Sequence, residues 1–179
     1  MTCCFFGHKD SPSEVKSILR TTVEDLICSG KADSFLVGNH GAFDSMALSV
    51  LRDAKKEHPE ITYNVVLAYM PGHKEEYNYV DPMETVYPEG LENVPPRFAI
   101  SWRNDWMLKE SQVVVCFVRH SMGGSGKFME KAIKQKKEVI NLAYSGEQNA
   151  SAIWNPKVQR MQKRTLIRHR PETDCARVE

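Results

Sequence analysis

The stretch Val113–Glu130, VVVCFVRHSMGGSGKFME, decides how the rest of the chain is read. Val113 to Val118 (VVVCFV) is the most strongly β-prone run present, and its unbroken apolarity fits a strand buried on both faces. A polar, glycine-bearing loop from Arg119 to Gly126 follows, and a helix is expected from Lys127 to about Lys137. Strand, glycine loop and helix in this order are the repeating unit of an α/β fold. In such folds ligands bind beyond the carboxyl ends of the strands, so strand-ending loops are where function is sought.

Working outward, the same unit recurs. Residues 2–6 (TCCFF) read as a buried strand ending at Gly7. Ser11-Pro12-Ser13-Glu14 has the form of a capping box with proline at the first helical position. Val15, Ile18, Leu19, Val23, Leu26 and Ile27 then follow at helical spacing, and Gly30 stops the helix. Phe35–Val37 is a second strand, ending at Gly38. A second helix from Ala42 to about Lys56 carries Phe43, Met46, Ala47, Val50 and Leu51 on one face, with His58-Pro59 as its stop. Tyr63–Tyr69 is a third strand. Residues 70–100 break the rhythm with five of the nine prolines and with Tyr77, Tyr79 and Tyr87; loops this long usually serve function. A short helix from Trp102 to Ser111 and a last strand, Glu138–Leu142, complete the pattern, which requires a buried parallel sheet.

Composition bounds the answer. The chain has 179 residues, 41% of them hydrophobic and 26% charged, enough for one domain with a real core. Collagen-like, coiled-coil and wholly disordered chains are excluded. A formal net charge of +1 argues against a nucleic-acid binder held by its overall field. The balance is uneven: residues 151–179 hold 7 Lys and Arg against 3 Asp and Glu, which leaves 17 against 20 over residues 1–150. The five cysteines (Cys3, Cys4, Cys28, Cys116, Cys175) form no CxxC pair, and the six histidines show no HxxxH or HxH spacing, so no metal is expected. Cys3, Cys4 and Cys116 read as small buried apolar residues. The opening MTCCFFGHKD lacks the shape of a secretory signal and no run is long enough to span a bilayer, so a cytoplasmic location without membrane contact is expected.

Three strand-ending loops are rich in glycine or polar residues: Gly7-His8-Lys9-Asp10, Gly38-Asn39-His40-Gly41 and His120–Gly126. The third lets backbone N–H groups approach a phosphate at a helix N-terminus, although a plain tight turn would need the same glycines. It is not a Walker A loop, since position 121 is serine and position 128 phenylalanine. Nor is it a dinucleotide fingerprint, because no third glycine follows Gly124-Ser125-Gly126. Ser121 and Ser125 lack the surroundings of a nucleophile elbow. No cofactor is expected.

Several segments in order carry a family resemblance: Gly38-Asn39-His40-Gly41-Ala42-Phe43-Asp44-Ser45-Met46-Ala47, Arg103-Asn104-Asp105-Trp106-Met107 with Ser111, and Gly123-Gly124-Ser125-Gly126-Lys127-Phe128-Met129-Glu130. Across residues 2–143 the chain resembles the SLOG superfamily, which includes the LOG phosphoribohydrolases and the DprA proteins. The opening CCFFGHKD and the RNDWM block look most like its YpsA-like (DUF1273) branch. The resemblance implies a Rossmann-like three-layer sandwich with a mostly parallel central sheet over residues 1–143, and a basic extension over 144–179. It implies a nucleotide-derived small ligand, its phosphate held by the Gly123–Gly126 loop. By position, Arg103 and Glu130 match the residues with which LOG enzymes cleave the N-glycosidic bond of a nucleoside 5′-monophosphate. Departures accompany the match: Lys127 stands for the family's threonine, and Ser101 and Asn104 replace the residues flanking its arginine. Homo-oligomers occur among relatives, and no residue pattern here fixes a symmetry.

The candidate ligand residues are Gly7, His8, Gly38, Asn39, Gly41, Asp44, Arg103, Asn104, Gly123, Gly124, Ser125 and Gly126, with Arg103 and Glu130 as catalytic candidates. Each has a second reading. Glu130, expected in the first turn of its helix, either stabilises the dipole or meets an oxocarbenium-like centre. Arg103 either forks onto a phosphate or bridges Glu110 or Asp105 on the surface. Asp44 either serves the ligand or complements a helix start. His8 and His40 contact base or phosphate, or are merely solvated. Phe98, Trp102 and Trp106 stack on a base or pack the helix onto the sheet, and the tyrosines of 70–100 would form a lid. In the tail, Asn155-Pro156 opens a short helix through about Ile167 lined by Arg160, Lys163, Arg164, Arg168 and Arg170. That stripe reads as a solvated docking helix in preference to a nucleic-acid contact.

Overall fold

The first strand, β1 (Thr2–Gly7), shows how the sheet is built. Its side chains alternate, Cys3 and Phe5 to one buried layer, Cys4 and Phe6 to the other, so both faces must be covered by helices. The computed structural model describes residues 1–70, 84–120 and 123–144; residues 145–179, with the expected Asn155–Ile167 helix, lie outside them. After β1 come α1 (Val15–Cys28), β2 (Ser34–Val37), α2 (Ala42–Glu57), β3 (Thr62–Val66) and β4 (Thr85–Val86). Then follow a 3₁₀ turn (Leu91–Asn93), α3 (Pro96–Glu110), β5 (Val113–Phe117), α4 (Gly124–Lys134), β6 (Glu138–Asn141) and a second 3₁₀ turn (Leu142–Tyr144).

The strands lie in the order β4-β3-β2-β1-β5-β6, and every pairing is parallel. The chain walks outward from β1 to β4, then crosses over to place β5 on the other side of β1. β1 and β5 therefore flank the point where strand order reverses, the place where ligands of doubly wound sheets bind. Leu19, Val23 and Leu26 of α1 and Ala47, Val50 and Leu51 of α2 pack with Phe5, Phe35 and Val115 in one layer. Met107 and Leu108 of α3 and Phe128, Met129 and Ala132 of α4 pack with Phe6, Val114 and Cys116 in the other. The fold is thus a Rossmann-like α/β three-layer sandwich on a parallel sheet, as the sequence led one to expect. Among the described residues no helix is long and apolar enough to cross a membrane.

Five local expectations are corrected. The Ser11–Glu14 capping box does not form: the Ser11 hydroxyl donates to the His8 carbonyl at 2.7 Å, and Glu14, the residue before α1, caps nothing with its side chain. Proline-rich chain before Trp102 is already helical, because Pro96 occupies the first position of α3, where its missing N–H costs nothing. The third strand stops at Val66, and Leu67 N donates instead to Val86 O at 2.9 Å in β4, a two-residue strand too short to leave a periodic trace. Tyr87 packs against the core layer of α1 and α2, so it is no lid; Tyr77 and Tyr79 fall outside the described residues. Finally, α4 starts at Gly124, three residues early, with Gly123 at φ 111° as the non-helical residue before it. Glycine's low helix propensity hides such a start. Glu130 therefore stands in the second turn of α4, beyond reach of the dipole's positive end.

Candidate functional site

The carboxyl ends of β1 and β2, the first turns of α2 and α4 and one face of α3 enclose a cavity of about 250 Å³. Gly7, His8 and Lys9 come from the end of β1, Gly38 and His40 from the end of β2, and Asp44 from α2. Ile100, Arg103 and Asn104 come from α3, Gly124 and Ser125 from α4, and Phe5 forms the floor. A larger groove of about 400 Å³ lies between α1 and α2, walled by Arg20, Glu24, Asp25 and Glu57. It has no glycine loop and no buried cation, so the chemistry favours the smaller one.

Arg103 is the centre of the cavity. The helical stripe Ala99, Arg103, Met107 faces the sheet, so an arginine takes a place otherwise filled by apolar side chains and is only 2% exposed. Its Nη1 donates to the Val66 carbonyl at 2.9 Å. Its Nε is buried with no partner among the described residues. A surface bridge to Glu110 or Asp105 is thereby overturned; Asp105 instead meets Lys131. Burial pushes the Arg103 guanidinium below its ordinary pKa, opposed by the nearby Asp44 carboxylate. Asp44, third residue of α2 and 8% exposed, accepts a hydrogen bond from His40 N at 3.0 Å. Burial raises its pKa from 3.8 to about 6 against the pull of Arg103 and that hydrogen bond.

The glycines divide by what surrounds them. A Cβ on Gly7 would sit 2.1 Å from Phe43 Cγ, and one on Gly38 would sit 2.3 Å from Asp44 Oδ2 and 2.4 Å from Arg103 Nη1. Gly41 has φ 112° and Lys9 Cα 2.9 Å from a Cβ position. Those three are required by packing or backbone. Around Gly123 and Gly124 there is nothing within 4 Å, and both are exposed. Gly126 is buried in the first turn of α4. Open space over the first turn of a helix lets an anion reach the free backbone N–H groups.

The remaining candidates take defined places. The Ser125 hydroxyl donates to the Gly7 carbonyl, tying α4 to β1. His8 Nε2 accepts a hydrogen bond from Arg119 N at 3.2 Å, which leaves the ring proton on Nδ1, and the ring stacks on His120 at 4.6 Å. Burial first, then the His120 charge, lowers the His8 pKa, so the ring is neutral near pH 7. Asn39 lies beyond the cavity lining, with Oδ1 2.6 Å from His40 Nδ1. Gly41, Gly123, Gly126 and Glu130 also lie outside the lining, Glu130 half-buried on α4. Trp106 and Met107 pack onto the sheet, and Ser111 bonds Cys4 Sγ and Leu108 O. Phe98 is 52% exposed. Sequence reasoning passed over Lys9 and Ile100, and the signal for Lys9 was available in its position two residues beyond Gly7. Cys3, Cys4 and Cys116 are fully buried, and burial pushes the Cys4 thiol up to about 12 and the other two upward as well. They are packing residues without thiolate chemistry.

No family model matches the chain, and no curated protein sequence matches it. Among solved structures it is similar to the X-ray structure of DNA processing protein A (DprA) from Streptococcus pneumoniae, with a TM-score of 0.54 and 12% identity. The match covers 77% of this chain and 48% of that one, so the chain spans about half the length of that protein. At this identity the likeness concerns the backbone: the chain shares the Rossmann-like fold of that protein.

Proposed function

We propose that the carboxyl-edge cavity binds a nucleotide-derived small molecule, with a phosphate over the first turn of α4. The observation that carries this reading is Arg103, a nearly fully buried guanidinium whose Nε has no partner, in the wall of the cavity that the bare Gly124 turn closes. A buried cation with an unused donor is costly unless an anion completes it. The SLOG resemblance of the sequence and the DprA-like backbone support the same kinship.

Titration with nucleoside monophosphates, cyclic nucleotides and ADP-ribose, beside the matching nucleosides, tests it. Phosphate-bearing ligands are expected to raise Tm and nucleosides to leave it unchanged. Gly124→Val fills open space without strain, so it should keep the unliganded Tm and weaken binding at least about tenfold. Equal responses to nucleotide and nucleoside would overturn the proposal. The second reading, cleavage of an N-glycosidic bond, draws on Arg103 lining the cavity and on the match of Glu130 to the LOG glutamate. Free base released by the wild type and abolished by Glu130→Gln would support it. A nucleic-acid role rests on the basic residues 151–179 and on the name of the DprA neighbour.

A further inference from the structure

At the amino edge of the sheet, opposite the glycine cavity, α1 and α2 end side by side. Glu24 and Cys28 stand four residues apart on α1 and so share one face. His58 closes α2. Glu24 Oε1 lies 2.7 Å from His58 Nε2 and 3.4 Å from Cys28 Sγ, and the three donor atoms all fall within 4.8 Å of one another. Cys28 is exposed and the other two half-buried, so an ion reaches them from solvent.

His58 is held in place independently of Glu24. Its N donates to Ala54 O at 2.7 Å and its carbonyl accepts from Ile61 N at 3.2 Å. Lys55 Nζ clasps the following turn through Pro59 O at 2.6 Å and Ile61 O at 2.5 Å. The second ring nitrogen, Nδ1, lies 3.5 Å from Glu60 Oε1. A carboxylate behind a histidine is the outer partner that orients a metal-bound imidazole.

We propose that Glu24, Cys28 and His58 bind a divalent cation of zinc type, with water in the open fourth position. Sulfur, imidazole nitrogen and a single carboxylate suit zinc; magnesium and calcium require oxygen ligands. Tetrahedral zinc sets its ligand atoms roughly 3.3–3.6 Å apart, so the Glu24–His58 contact opens by less than about 1 Å on binding. The ion would tie the end of α1 to the end of α2.

Tag-free full-length protein carrying Cys175→Ser is titrated with Cd²⁺ and with Zn²⁺. Cys3, Cys4 and Cys116 are fully buried, so Cys28 is the reporting thiol. Uptake of one ion per chain is expected, with a thiolate-to-cadmium absorption band and a higher Tm. Cys28→Ser should abolish the band, and His58→Ala and Glu24→Gln should each weaken affinity roughly 10–100-fold. Cys28 is exposed, so Cys28→Ser folds normally, and the metal-free Tm of each variant verifies this. Absence of uptake up to roughly 1 mM metal, a very weak affinity, overturns the proposal. Uptake undiminished in Cys28→Ser or His58→Ala overturns it equally.

Discussion

At Gly38 the cavity wall leaves no room for a side chain, since a Cβ there would lie 2.3 Å from Asp44 Oδ2 and 2.4 Å from Arg103 Nη1. The two side chains share a buried volume that neither occupies comfortably when charged: burial drives the Asp44 pKa up and the Arg103 pKa down. Asp44 therefore gives stability a definite pH dependence. Its folded value of about 6 lies above the ordinary 3.8, so ionisation is harder in the folded chain than in the unfolded one. Below about pH 4 the group is protonated in both states and adds no penalty. Stability then falls as pH rises from about 4 to about 6, and the loss is complete above that window. Two units correspond to about 3 kcal/mol. Urea unfolding from pH 4 to 7 should show this fall in the wild type and a shallower one in Asp44→Asn. Equal slopes would remove Asp44 as its source. The role of Asp44 is half legible in the sequence: an aspartate at a helix start is apparent, but its burial beside Arg103 depends on α3, with Arg103 59 residues further along the chain, and on no local pattern.

At the scale of elements, strands β1, β2 and β5 were readable because short apolar runs, ended by Gly7 and Gly38 in the first two and by Arg119-His120 after the third, need no tertiary knowledge. The start of α2 at Ala42 was readable too, but the starts of α3 and α4 were not. Pro96 and Gly124 look like loop residues in a sequence, and only the packing of Met107, Phe128 and Met129 onto the sheet tells that they open helices. The end of β5 is a further case. The Asn141 side chain imitates a strand: Oδ1 accepts from Val118 N at 3.0 Å and Nδ2 donates to Val118 O at 2.9 Å. Oδ1 also accepts from Ala143 N at 3.2 Å. It thereby carries the β5–β6 ladder past the last backbone pair and fixes the chain just before Arg119 and His120. Asn141→Ala leaves Val118 N and O buried without these partners and should cost about 2–3 kcal/mol by urea unfolding. A cost under about 0.5 kcal/mol would mean that water replaces the amide.

At the scale of the molecule, the two proposed sites stand at opposite edges of the sheet, and the sequence alone points to one of them. The carboxyl edge follows a topological rule, so glycine loops at strand ends point to it from the sequence alone. The Glu24–Cys28–His58 cluster follows no spacing rule, because its histidine sits on another element, and a search for HxxxH or CxxC passes over it. Among the described residues one core layer reaches Leu142 and Ala143 and the other Ala132, Ile133 and Val139. A protein ending at Tyr144 should accordingly unfold in one cooperative transition, since its buried apolar area is that of the whole described fold. Its Tm should stay within roughly 3 °C of the full chain, a difference below about 1 kcal/mol, and its response to nucleoside monophosphates should be unchanged. Removing residues 145–179 takes away more positive than negative charge, so any DNA retardation by the full chain that falls steeply with salt should disappear. Loss of the cooperative transition in the shortened protein would show that the core extends beyond Tyr144, and loss of the nucleotide response alone would move part of the ligand site into the removed segment.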